Sequence, residues 1–149
     1  MKMKRIIKLG LILTFFACLA SCKPSKTSVI NEINEKTGVT IPSNSEMIFN
    51  ISDNVFMHGR LARYSVFLFN EYQLEFLTDN NFSTELPENF ENRFEDEIDK
   101  CYTITRDDIK KEYMPDFKED NQYLYLEEIA VFFIYNNKTN KLIVFIIAL

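Results

Sequence analysis

The chain has 149 residues, and 17 Lys and Arg against 22 Asp and Glu give it a formal net charge of −5 at pH 7. This length suffices for one domain with an adequate core, to which 14 Phe and 7 Tyr contribute large side chains. An acidic protein repels phosphate backbones, so nucleic acid is not expected as a partner. The single histidine excludes a metal site with two or more histidine ligands, and no cofactor is predicted.

The first 21 residues have the pattern of an export signal. A basic head with three Lys and one Arg is followed by an apolar run over residues 9–20. The head stays on the cytoplasmic side while the run enters the membrane. Because the run is shorter than the roughly 20 residues of a spanning helix, we expect a removable signal rather than a transmembrane anchor.

The end of this segment, Leu19-Ala20-Ser21-Cys22, resembles the lipobox of bacterial lipoprotein signal peptides. The resemblance implies cleavage between Ser21 and Cys22, acylation of the Cys22 thiol with fatty acids such as palmitate, and a mature protein anchored in the bilayer. The expected location is the cell envelope, on the periplasmic side of the outer membrane or the outer face of the cytoplasmic membrane. Residues 35–42 are also similar to the opening of many small bacterial lipoproteins, a likeness that carries no activity.

Removal of the leader makes the remaining protein more acidic. Thirteen Lys and Arg then face 22 Asp and Glu, a formal balance of −9. Anionic lipid headgroups repel such a surface, so the lipid rather than the protein surface is expected to hold the protein at the membrane. Cys101 is then the only thiol besides the lipidation site, and no internal disulfide is predicted.

The start of the mature chain predicts a tether and a helix. Residues 22–28 form a short polar tether, and residues 29–149 form a single domain. Ser28 is a suitable N-cap for a helix over residues 29–36, and Gly38 is suited to end it in the left-handed conformation.

Two strands are predicted next. Residues 46–51 form the first, and residues 61–69 alternate as the second. One face of the second strand is apolar, whereas Arg63 and Ser65 lie on the other face, which we therefore expect to be partly open to solvent. Residues 72–77 alternate less cleanly and are compatible with either a strand or the start of a helix.

The acidic middle of the chain predicts two helices. Residues from Phe90 to Cys101 place apolar side chains at spacings of four, four and three, which is the period of an amphipathic helix. Thr105 is a suitable N-cap for a second helix with two Asp in its first turn, and Pro115 ends it.

The C-terminal part returns to strands. Residues 123–126 and 129–135 predict one long bent strand or two short ones, and the polar loop 136–140 precedes a last strand over residues 142–149. This last strand is apolar on both faces, so it should lie inside the sheet with cover on both sides. The predicted fold class is α+β, an antiparallel sheet of about four to six strands with two or three short helices on one face.

Few side chains point to a chemical reaction. His58 falls in a predicted turn with no nucleophile near it, and Cys101 lies among acids that disfavour a thiolate. A surface histidine and a buried core thiol are therefore the simpler interpretations. The acids of residues 85–120 lack a calcium-binding loop with its central Gly, so no metal site and no catalytic residue are predicted.

Two surfaces remain as candidate binding sites. The acidic helix face is either simply solvated or a surface for a basic partner, and its members are Glu91, Glu95, Asp96 and Asp99. Aromatic side chains on the strands either belong to the core or line a ligand groove, and its members are Tyr64, Phe67, Tyr123 and Tyr125.

The first hypothesis is a membrane-anchored, non-catalytic lipoprotein of the cell envelope that binds a partner protein. The partner would be an envelope or exported protein, and a toxin-neutralising, immunity-type lipoprotein is one concrete form. One alternative is a small-ligand carrier with an aromatic pocket. The other is an envelope hydrolase that works through two carboxylates.

Overall fold

The computed structural model describes residues 24–52, 61–101 and 104–148. The predicted leader, the lipobox with Cys22 and the histidine at position 58 lie outside the described residues. Three helices and five strands are described. The helices are α1 (Lys26–Thr37), α2 (Leu74–Asp79) and α3 (Phe90–Lys100). The strands are β1 (Glu46–Ser52), β2 (Leu61–Leu68), β3 (Asn121–Leu126), β4 (Val131–Asn136) and β5 (Lys141–Ala148).

The five strands form one antiparallel sheet in the order β1-β2-β5-β4-β3. The predicted α+β class with an antiparallel sheet is confirmed. The last strand is central, as its two apolar faces predicted. Leu142, Val144 and Ile146 point to one side of the sheet, and alternate residues such as Phe145 point to the other.

The helices differ from the prediction in their placement, because they lie on both faces of the sheet. Val29 and Ile33 of α1 and the buried residues of α2 pack on one face, the α1 face. Phe90, Phe94 and Ile98 of α3 pack on the opposite face, the α3 face. The physical reason is the strand pattern itself, since a central strand that is apolar on both sides needs cover on both.

The α1 face of β2 is closed rather than partly open, which corrects the expectation from Arg63 and Ser65. The exposed fractions of these residues are 4% and 0%. Arg63 Nη2 donates to Glu32 Oε2 of α1 at 2.8 Å, and its Nη1 donates to Asn50 Oδ1 at 2.8 Å. Ser65 Oγ donates to the same oxygen of Asn50 at 2.8 Å. The polar residues are buried because they bond one another beneath α1.

This buried network is not fully satisfied within the part of the chain that the structure describes. Glu32 Oε1 and Arg63 Nε have no hydrogen-bond partner among the described residues. The side chain of Arg63 is 5% exposed, whereas that of Glu32 is 27% exposed. The side chain of Glu32 is therefore closer to the surface than that of Arg63, although its oxygen Oε1 is itself buried.

Helix α1 begins earlier than predicted. Ser25, and not Ser28, is the N-cap, and its Oγ accepts a hydrogen bond from the backbone N–H of Ser28 at 3.2 Å. The helix ends at Gly38 as predicted, with φ 73°. The ambiguous residues 72–77 contribute to helix α2.

The predicted second acidic helix is wrong. Thr105 does begin a turn, with its backbone N–H and its hydroxyl both donating to Asp108 Oδ2, but only two three-residue 3-10 turns follow. Ile104 and Ile109 are both buried. The backbone leaves the helical conformation at Ile109, whose φ and ψ are −102° and 120°.

Candidate functional site

The predicted acidic surface is only partly available to a partner. Buried Phe90, Phe94 and Ile98 turn the acids of α3 toward solvent, as the periodicity predicted. Arg106 then binds two of them. Its Nη2 lies 2.5 Å from Glu95 Oε2, and its Nε lies 2.7 Å from Asp99 Oδ1.

Two acids in the middle of α3 are therefore already in ion pairs with Arg106 of the same chain. The hydrogen bond from Arg106 holds the pKa of Asp99 below its usual value. Asp96 lies 3.6 Å from the ammonium of Lys100 one turn later. Of the four predicted acids, Glu91 alone has no ion pair among the described residues.

A second group of acids lies just before α3 and in its first turn, and we call this group, together with the leucine among them, the acidic corner. It consists of Glu85, Leu86, Glu88 and Glu91. All four side chains are exposed, Leu86 by 41%. Within the described ranges none of the three carboxylates is in an ion pair. The acidic corner therefore presents an apolar side chain among carboxylates, which the sequence analysis did not single out.

The predicted aromatic groove is not formed. Tyr64 and Phe67 lie on opposite faces of β2, the first on the α3 face and the second on the α1 face. Both are fully buried, and Tyr123 is 4% exposed. Alternation along a strand places residues three apart on opposite sides, which the sequence pattern already required. These side chains are core, and Tyr125 packs against the core of the α3 face.

Tyr64 is held deep in this core. Its hydroxyl donates to the backbone oxygen of Tyr113 at 2.7 Å, and its ring meets those of Phe94 and Phe145. Burial raises the pKa of Tyr64 well above its ordinary value, because the phenolate would lose its hydration. Burial also raises the pKa of Tyr123 and Tyr135.

We expect the protein to lose stability above about pH 10, where unfolded tyrosine ionises. The folded state keeps Tyr64 protonated, so the stabilisation is complete below this pH and is lost as the pH rises. Urea unfolding at pH 8 and pH 11 measures the loss, and absorbance at 295 nm reports phenolate without interference because the chain has no Trp. Tyr64→Phe should reduce the pH dependence, and the exposed Tyr72→Phe should not. Equal pH dependence in both variants would contradict the assignment.

A cleft of about 540 Å³ lies on the α3 face. Its apolar lining includes Val66, Ile134 and Ile143 of the sheet. Met114 and Phe117 also line it, and they belong to residues 111–119, which we call the crossing segment. Charged side chains also line it, namely Glu91, Glu95, Lys111, Glu112, Asp116, Lys118, Glu119 and Lys141. Glu91 thus belongs both to the acidic corner and to the cleft.

The crossing segment is fastened to the sheet beside the cleft. Asn136 Nδ2 donates to Glu119 Oε2, and Asn121 Nδ2 donates to the backbone oxygen of Asp116 at 2.8 Å. Lys141 Nζ lies 3.4 Å from the backbone oxygen of Glu112. Two of these contacts join residues 17 and 29 positions apart in the chain, so no local pattern could have predicted the cleft.

The other predicted site residues do not assemble into a reactive centre among the described residues. Cys101 at the end of α3 is half-buried rather than buried and packs against the core of the α3 face. No cluster of three or more potential metal-ligating side chains occurs in residues 24–52, 61–101 and 104–148. Over the same ranges, every helix is too short or too polar to cross a membrane.

Comparison of the chain with protein-family models, with curated proteins and with solved structures finds no match in any of the three.

Proposed function

We propose that the protein is a lipid-anchored, non-catalytic protein of the cell envelope that binds a partner protein through the acidic corner. The observation that supports this proposal best is Leu86, which is 41% exposed and lies between Glu85 and Glu88. Among the described residues, no basic side chain forms an ion pair with either carboxylate. An apolar anchor within a charged rim is a common arrangement at protein interfaces.

The chemistry of this surface indicates the kind of partner. Three carboxylates favour a basic surface, and Leu86 favours a small apolar depression within it. Glu95, Asp96 and Asp99 contribute less, because Arg106 and Lys100 already pair with them. An exported basic protein fits this description, and neutralisation of a basic toxin at the membrane is one concrete form.

The first test is cross-linking and co-purification of the protein from its own membranes, with Cys22→Ala as the control that cannot be lipidated. We expect one stoichiometric partner that is captured with the lipidated protein and lost with Cys22→Ala. Purification of both forms without any partner would contradict the proposal.

The second test reverses charge at the acidic corner. We expect Glu88→Lys with Glu91→Lys to weaken partner binding at least about tenfold at low salt and to reduce its salt dependence, because like charges would then face each other. Glu35→Lys with Glu75→Lys is the matched control, since these exposed acids lie on α1 and α2 and the charge change is the same. Equal weakening by both pairs, or by neither, would sink the assignment of the surface.

A small-ligand carrier is the second candidate, and the cleft on the α3 face is the observation that favours it. Its volume of about 540 Å³ lies within the range of small-molecule sites, and it combines an apolar lining with charged groups. Native mass spectrometry of the protein extracted from membranes is the test. A defined added mass that organic solvent releases supports the carrier, and its consistent absence counts against it.

A further inference from the structure

The described chain begins beside the outer edge of β1. Pro24 and residues Met47 to Asn50 line a cleft of about 360 Å³, which we call the β1 groove. Lys26 Nζ donates to the backbone oxygens of Ser43 and Ser45 at 2.8 and 2.9 Å. These bonds hold the first turn of α1 close to the start of β1.

Strand β1 is an edge strand with apolar side chains on both sides. Within the described residues it pairs only with β2. Met47 packs toward the α1 face, whereas Ile48 and Phe49 pack toward the α3 face, and the register shifts between Met47 and Phe49. All three side chains are half-buried, so this edge still presents apolar surface to its surroundings.

The predicted lipid attachment point is very close to this groove. Cys22 precedes Pro24 by two residues, and a fully extended chain spans at most about 3.6 Å per residue. The Cα atoms of Cys22 and Pro24 are therefore at most about 7 Å apart. Acyl chains on Cys22 would enter the bilayer within reach of the β1 groove.

The distribution of charge favours the same orientation. The acidic corner follows Ser83, which pairs with Tyr123 of β3, the strand at the opposite edge of the sheet. Four intervals of about 4.8 Å between neighbouring strands separate the two edges by roughly 19 Å. Anionic headgroups repel carboxylates, so contact with the acidic corner, which has three, is disfavoured relative to contact with the β1 groove, whose lining residues carry no charge, although exposed Glu46 begins the same strand.

We propose that the β1 groove rests on the headgroup region of the bilayer, with Ile48 and its neighbours in contact with lipid and the acidic corner directed away from the membrane. This inference rests on the proposed lipid anchor. The anchor keeps the groove at high effective concentration near the surface, so a weak contact suffices to orient the domain. The orientation also leaves the acidic corner accessible to a partner.

The test uses the lipidated protein in vesicles of phosphatidylethanolamine and phosphatidylglycerol. Two single-cysteine variants, Ile48→Cys and Leu124→Cys, are made in a Cys101→Ser background, and each is labelled with the environment-sensitive dye NBD. Leu124 is the matched control because it is half-buried on β3, the other edge strand. We expect a blue shift and several-fold stronger quenching by acyl-chain spin labels at position 48 than at position 124. Met47→Cys provides a second groove position if Ile48→Cys does not fold.

Three results would overturn the orientation. Equal quenching at positions 48 and 124 would show that the domain has no preferred face. Shielding of position 48 that grows with the ratio of protein to lipid would show that a second chain, rather than lipid, covers the β1 edge. If mass spectrometry finds Cys22 unacylated, both the proposed anchor and the proposed orientation are wrong. If the protein is acylated but quenching is equal at the two positions, only the proposed orientation is wrong.

Discussion

A chain shortened to end at Leu142 is expected to lose its cooperative unfolding transition. The deletion removes most of β5, whose residues Ile143 to Ile147 are all buried. Strands β2 and β4 both pair with β5, so the sheet would separate into the β1–β2 and β3–β4 hairpins. Isolated two-stranded hairpins are marginally stable at best in water.

Far-UV circular dichroism during urea unfolding measures this result. Phe145→Ala tests the same strand with a smaller change than the deletion. We expect it to lower the free energy of unfolding by about 3–5 kcal/mol because the rings around it cannot close the cavity. Those rings belong to Tyr64, Phe94 and Phe132. Leu74→Ala is the control, since Leu74 is 62% exposed. A shortened chain that unfolds cooperatively near the full-length midpoint would disprove the central role of β5.

Glu32→Ala is expected to destabilise the fold by about 3–5 kcal/mol, because it leaves a buried guanidinium without its counterion. The Arg63 side chain is 5% exposed and cannot reach water without rearrangement. Arg63→Met should lower the free energy of unfolding by less, since the Glu32 side chain is 27% exposed and can turn its carboxylate toward solvent. We therefore expect Glu32→Ala to destabilise the fold more than Arg63→Met does.

Urea midpoints of the two variants measure this asymmetry at neutral pH. Arg93→Gln is the control, because Arg93 pairs with Glu127 at 2.9 Å on the open surface, and its removal should leave the midpoint unchanged. A smaller effect of Glu32→Ala than of Arg63→Met would mean that the network is hydrated and not buried.

The strands and α3 could be predicted because their patterns are local. Alternation over residues 61–69 and the two apolar faces of the last strand indicate β structure, and the spacing of Phe90, Phe94 and Ile98 indicates a helix. Two predictions from local signals were wrong, namely the open face at Arg63 and Ser65, which α1 covers, and the helix after Thr105. Thr105 begins a turn as its capping chemistry predicts, but the backbone becomes extended at Ile109 and no α-helix follows.

The candidate sites were harder to predict, because the exposure and the charge pairing of their side chains depend on which segments of the chain meet. Glu95 and Asp99 are acidic in the sequence, and only the fold brings Arg106 against them. The cleft on the α3 face joins a crossing segment to the sheet, and no local pattern encodes that contact. The groove predicted from Tyr64 and Phe67 was wrong, because alternation along β2 places the two rings on opposite faces of the sheet.

The sequence by itself determined the α+β class, the position of β5 inside the sheet and the outward direction of the acids of α3. These follow from side-chain periodicity, which is a property of neighbouring residues. Only the tertiary structure decided that α1 and α2 lie on one face and α3 on the other, that Arg63 is buried against Glu32, and that Leu86 stays exposed among unpaired carboxylates. The physical reason is that burial and charge pairing depend on which surfaces meet, and distant segments of the chain supply those surfaces.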